Sequence, residues 1–83
     1  MLKILYFASL RESLGTTGES LPVPTPATVE ALISGLRARG GAWANALDTG
    51  KRWRVAVNQE MASMEVSLNS GDEVAIFPPV TGG

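Results

Sequence analysis

Apolar residues alternate from the first positions of the chain. Between residues 2 and 9, Leu2, Ile4, Tyr6 and Ala8 fall on one side, and Lys3, Leu5, Phe7 and Ser9 on the other, which is the two-residue period of a β-strand. Leu5 and Phe7 make the second side apolar too, so this strand is expected to lie centrally in a sheet or to be covered on that side. Leu5 and Phe7 then either meet a partner protein or pack beneath a loop. Arg11 to Ser20 is polar, contains Gly15 and Gly18, and predicts a loop. Leu21 and Val23 alternate with Pro22 and Pro24, which predicts a weak second strand at a sheet edge, because proline donates no ladder hydrogen bond. The two strands would form a hairpin.

The period then changes to that of a helix. Val29, Leu32, Ile33 and Leu36 recur at i, i+3, i+4 and i+7, forming one apolar stripe. Thr28 is placed to cap the first turn, Glu30 suits the positive end of the helix dipole, and Arg37 and Arg39 suit the negative end. Gly40 and Gly41 supply a stop. Ala42 to Leu47 predicts a further short helical turn with Trp43, Ala46 and Leu47 on a common side and Trp43 in the core.

A third strand follows, with Trp53, Val55 and Val57 alternating with Arg52, Arg54 and Ala56, up to a turn at Asn58-Gln59. A brief strand is expected within Met61 to Val66. Leu68 anchors a turn over Asn69 to Asp72, and Glu73 to Phe77 forms the last strand, ended by Pro78 and Pro79. One main helix among five strands is too few for a doubly wound sheet. The first and last strands are the richest in apolar residues and are therefore placed side by side in the middle. The expected fold is α+β: a mixed sheet packed on one main helix, the β-grasp or ubiquitin-like architecture. The domain would span residues 1–77, followed by a flexible tail at 78–83.

Composition narrows the chemistry. Eighty-three residues suffice for one small domain, and a net charge of −1 with 18% charged residues leaves no basic stripe for nucleic acid. The chain has no cysteine and no histidine, which removes disulfides, thiol nucleophiles, imidazole bases and zinc patterns built on those residues, so no metal site is expected. The apolar opening is too short for a secretory signal and no stretch has the length of a membrane span, so a cytoplasmic protein with no membrane partner is expected. Asp72 and Glu73 are adjacent on a strand and point to opposite faces, which suits a solvated turn better than acid–base work. Gly15-Thr16-Thr17-Gly18 lacks the lysine and spacing of a phosphate loop. Arg52 and Arg54 share one strand face, as an anionic-partner surface or a solvated one.

What remains is the end of the chain, Phe77-Pro78-Pro79-Val80-Thr81-Gly82-Gly83. Two terminal glycines arise by chance in about one chain in two hundred at average usage. Without Cβ atoms, Gly82 and Gly83 can thread a narrow channel, and Pro78 and Pro79 stiffen the exit. The residues after Phe77 reach roughly 20 Å when extended, at about 3.3 Å per residue. The Gly83 α-carboxylate could thus enter a site on another protein. A carboxylate is a poor electrophile and needs activation; the expected form is an acyl-adenylate made from ATP by a separate enzyme. The activated end could then pass to a lysine amine, as in a protein modifier, or be converted to a thiocarboxylate by a sulfur donor.

The run from Gly71 to Gly83 resembles the C-terminus of the molybdopterin synthase small-subunit family of ubiquitin-like sulfur carriers. Lys3 to Glu12, Thr28-Val29-Glu30-Ala31-Leu32 and Ala56-Val57-Asn58-Gln59 extend the resemblance over nearly the whole chain. It implies a sulfur carrier in molybdenum-cofactor biosynthesis that is not catalytic alone and binds no cofactor. An E1-like adenylating enzyme would spend ATP on Gly83, and a sulfur donor would make the thiocarboxylate. The tail, Phe77, Pro78, Pro79, Val80, Thr81 and Gly82, would insert into the large synthase subunit. There the sulfur would attack cyclic pyranopterin monophosphate, within a heterotetramer of two small and two large subunits. Phe7 is the candidate interface residue. The alternatives are a carrier for thiamine thiazole or tRNA thiolation, a ubiquitin-like modifier of lysines, and a passive interaction module.

Overall fold

The N-terminal alternation forms strand β1 (Leu2–Tyr6), in a computed structural model that describes residues 1–78. Leu2, Ile4 and Tyr6 are buried, as their period requires. The strand stops short of the expected residue 9 because Ala8 takes a φ of 52°, and Ser9–Leu14 turns into a helix, α1. The expected loop from Arg11 to Ser20 is therefore corrected. Its first part belongs to α1, which buries Leu10, sets Leu14 one turn on against the core, and closes on Gly15 in the left-handed conformation, φ 72°. Its last part is strand β2 (Gly18–Leu21). The hairpin forms, but its second strand precedes the expected Leu21–Val23, because Pro22 has no N–H to continue the ladder. Gly18 sits where the strands approach most closely: a Cβ there would lie 2.5 Å from the Ile4 carbonyl oxygen.

Helix α2 (Val29–Arg37) follows its sequence pattern. The Ala31 N–H donates to the Thr28 hydroxyl oxygen at 3.2 Å, and Val29, Leu32, Ile33 and Leu36 are all buried. Gly40, at φ 78°, turns the chain into the short helix α3 (Gly41–Ala46), where Trp43 packs partly buried against the core as expected. Strand β3 (Arg54–Val57) starts two residues later than its alternation suggested. Asn58 and Gln59, with φ of 50° and 70°, form a two-residue turn into β4 (Glu60–Ala62). Strand β5 (Glu73–Phe77) comes last.

The sheet order is β2-β1-β5-β3-β4, with β1 and β5 parallel and the remaining neighbours antiparallel. The first and last strands are thus central, as expected, and the sheet is mixed. Ile4 lies beside Val74 and Tyr6 beside Ile76, while Val55 flanks Ile76 from the other side; this row faces α2 and carries the core. Among the described residues, no helix is long and apolar enough to cross a membrane. Of the expected tail, only Pro78 lies within the described residues.

One polar cluster ties the hairpin to the helices. The Tyr6 hydroxyl donates to Glu19 Oε2 at 2.8 Å, and Arg39 grips the same carboxylate with two N–H groups at 2.9 Å each. Arg39 also lies 4.4 Å over the Trp43 ring, which meets Tyr6 edge-on at 5.4 Å. Arg39 holds the Glu19 carboxyl below the usual glutamate range, chiefly through these hydrogen bonds, while burial and then Glu19 push the Tyr6 phenol up. Because Glu19 has a depressed folded pKa, its contribution is present above the ordinary value of about 4.3 and is lost as pH falls through the lower folded value. Glu19→Ala is expected to cost about 1–2 kcal/mol near neutral pH. Urea unfolding should show the gap between variant and parent closing across that acid window.

Candidate functional site

Strand β5 holds the point from which the tail leaves, and both of its ends are pinned. At its start, Asn58 donates to Asp72 Oδ1 at 3.0 Å and accepts the Glu73 N–H at 3.0 Å, while the Asn58 N–H donates to the Glu73 carbonyl at 2.8 Å. The Asn69 N–H donates to the other Asp72 oxygen at 2.8 Å. These partners, the Asn58 amide first, hold the Asp72 carboxyl below its ordinary range. Asp72 and Glu73 therefore order a turn, in keeping with their solvated setting, and do not form an acid–base pair. Along the strand, Val74 and Ile76 are fully buried. At its far end the Phe7 N–H donates to the Ile76 carbonyl at 3.1 Å.

Among the described residues, the other face of the sheet carries no helix. Its centre is apolar, with Ala56 and Ala75 buried and Leu5 half-buried, while Lys3, Glu73 and Arg54 lie at its ends. Leu5 lies beside Ala75, Ala75 beside Ala56, and Ala56 beside Met61, so one row crosses four strands. The next row places Phe77 beside Arg54, and the Phe77 ring stacks on Phe7 with centroids 4.8 Å apart and planes 13° from parallel. Phe7 is 38% exposed and Met61 63% exposed. Phe7 therefore remains open to solvent, which decides against its packing beneath a loop. Exposed aromatic and methionine side chains grouped on one face are the usual marks of an interaction surface. Met61 escaped the sequence reading, although a two-residue turn at Asn58-Gln59 places it opposite Ala56 and so on this face.

Beyond Phe77, Pro78 borders a groove of about 380 Å³ between α1, α3 and the segment leading into β3, whose other walls include Ser9, Leu10, Ala46, Lys51 and Arg52. Of the expected site residues, Phe7, Phe77 and Pro78 are thus gathered at one end of the sheet. Pro79, Val80, Thr81, Gly82 and Gly83 lie outside the described residues.

A model of the ThiS family matches residues 4–83. The chain belongs to the ThiS family. The molybdopterin synthase sulfur carrier subunit of Escherichia coli is 48% identical over 83 residues, covering 100% of both chains. The resemblance drawn from the closing run is borne out by this full-length match. Among solved structures, the HVO 2177 protein of Haloferax volcanii superposes with a TM-score of 0.81 at 31% identity, covering 99% of this chain and 85% of that one. SAMP1, the small archaeal modifier protein 1 of the same organism, does so at 0.73 with 27% identity, over 99% and 98%. The expected β-grasp is the fold of this ThiS family member.

Asn58→Gly keeps the positive φ of the turn while removing both side-chain hydrogen bonds. The variant is expected to let the Asp72 pKa rise toward the ordinary value of about 3.9. It should also speed solvent exchange of the Glu73 amide proton, and NMR reads both changes.

Proposed function

We propose that this chain is the sulfur-carrier subunit of a molybdopterin synthase. The observation that carries the reading is its end-to-end likeness, at 48% identity, to a protein of that function. In this reading residues 1–77 are the docking domain and 78–83 the tail that reacts. A separate E1-like enzyme brings ATP; the Gly83 carboxylate attacks its α-phosphate, pyrophosphate leaves, and an acyl-adenylate forms. A sulfur donor then displaces AMP and leaves a thiocarboxylate. In the large subunit that sulfur attacks cyclic pyranopterin monophosphate, and two such transfers complete the dithiolene within a tetramer of two small and two large subunits. The chain itself contributes no catalytic side chain, metal or bound cofactor, and the setting is the cytoplasm.

The described geometry supports the division of labour. A strand fixed on both sides delivers Phe77 and Pro78 to a constant place, and the open face with Phe7, Phe77 and Met61 offers a partner an apolar area beside the exit. The likeness to the small archaeal modifier protein 1 favours, as a second reading, attachment of Gly83 to lysine amines. Both readings use the same activated end, and they differ in the nucleophile that takes it.

Incubation with the adenylating enzyme, ATP and a sulfur source is expected to raise the intact mass by the difference between sulfur and oxygen. A mass that never changes, or isopeptide conjugates appearing in its place, would sink the carrier reading. Deleting Gly83, or adding one residue after it, should abolish sulfur transfer and leave the thermal unfolding midpoint unchanged, whereas full activity of the extended chain contradicts a reacting terminal carboxylate.

A further inference from the structure

Arg52 and Arg54 looked in the sequence like either a solvated face or a surface for an anionic partner, and their position in the fold decides between the two. Arg54 lies across from Phe77, the last residue of β5, on the open face of the sheet. Arg52, two residues earlier, lines the same groove as Pro78, and Lys51 lines it as well. Three cations therefore surround the point where the chain leaves the sheet. All three are exposed. Among the described residues the one ion pair is Arg39–Glu19, on a different part of the molecule, and the Lys51 ammonium meets only the Asn45 amide oxygen at 3.4 Å.

One acid is close by: the Asp48 carbonyl accepts the Lys51 N–H at 3.0 Å, and its carboxylate accepts the Gly50 N–H at 3.2 Å. The acids of the sheet lie elsewhere. Glu73 is at the opposite end of β5, beside Lys3, with Asp72 just before it, and Glu60 pairs with Val57 at that same end of the sheet. Along the sheet itself, Glu60, Asp72 and Glu73, with Lys3 among them, lie at one end and Arg54 at the other, where the tail departs. A protein that takes up the tail must lie against this end. If it were apolar or basic there, three cations would lose water with nothing in return. Three charges are also too few to hold a nucleic-acid backbone at physiological salt, since each phosphate neutralised adds only one increment of counterion release.

We infer that Lys51, Arg52 and Arg54 are the charged half of the docking face, and that they meet Asp and Glu side chains ringing the mouth of the channel by which the adenylating enzyme takes up the tail. This rests on the carrier reading for the direction in which the tail goes. The apolar trio Phe7, Met61 and Phe77 sets how long the partner stays, and the cations set how fast and in which orientation it arrives. Rim charges act mainly on association and on its salt dependence.

The test measures association of the full-length chain with its adenylating enzyme by stopped flow, at about 0.05 M and about 0.5 M salt, where screening is weak and strong. Arg52→Gln/Arg54→Gln is expected to associate about tenfold more slowly at low salt, with the difference gone at high salt and the dissociation rate nearly unchanged. Arg52→Lys/Arg54→Lys, which keeps the charge, should stay within about twofold of the parent. Parental rates and salt dependence in the glutamine variant overturn the inference, as does a lysine variant as slow as the glutamine one. Tighter binding of the parent to a single-stranded RNA than to the enzyme overturns it too. Association is read whether or not sulfur is loaded, so a parent chain that binds with the expected salt dependence yet never gains the thiocarboxylate mass counts against the carrier reading alone.

Discussion

The parallel pairing of β1 with β5 is the constraint on which the rest of the molecule depends. Parallel neighbours cannot be joined by a tight turn, so everything between Phe7 and Asp72 must cross over and return, and α2 is the element that fills that crossover. The pairing also sets β5, the last strand, at the centre of the sheet, with β1 on one side and β3 on the other. Val74 and Ile76 are buried there without remainder, and each such side chain contributes about 1.5–3 kcal/mol. The last residues of the domain are therefore among its best anchored, unlike most chain ends.

That anchoring gives the ThiS-family tail a fixed origin. Had the final strand been an edge strand, any load on the tail could have peeled it away one ladder bond at a time. Between two neighbours it cannot separate without opening the core. The Asn58–Asp72 turn sets the register at one end, and the Phe7–Phe77 stack marks the other. Under the proposed function, scaffold and tail divide the work: the sheet holds position, and the side-chain-free tip is left for chemistry that another protein completes.

The polar side chains of the described residues serve the fold. The most elaborate polar arrangement, Tyr6 with Glu19, Arg39 and Trp43, is internally satisfied and joins β1, β2 and the segment between α2 and α3. Its hydrogen bonds go to one another, none toward the tail exit. Exposed apolar and cationic groups collect instead around Phe77 and Pro78.

Local chemistry sufficed wherever an element carries its own signal. The α2 stripe with its Thr28 cap, the alternation of β1 and β5, and the turn at Asn58-Gln59 were all legible because each depends on residues within one or two turns of one another. The family was legible too, because the resemblance rested on contiguous runs. Helix α1 and strand β2 were not, because Gly15 and Gly18 mask a six-residue helix with one buried leucine, and Gly18-Glu19-Ser20 has no apolar period of its own. β2 exists because β1 offers an edge to pair with. Likewise the stacking of Phe7 on Phe77, the arrival of Met61 on their face, the grip of Arg39 on Glu19 and the ring of cations at the tail exit all join residues far apart in the chain. Only a register between strands places them together, and register is a property of the whole sheet.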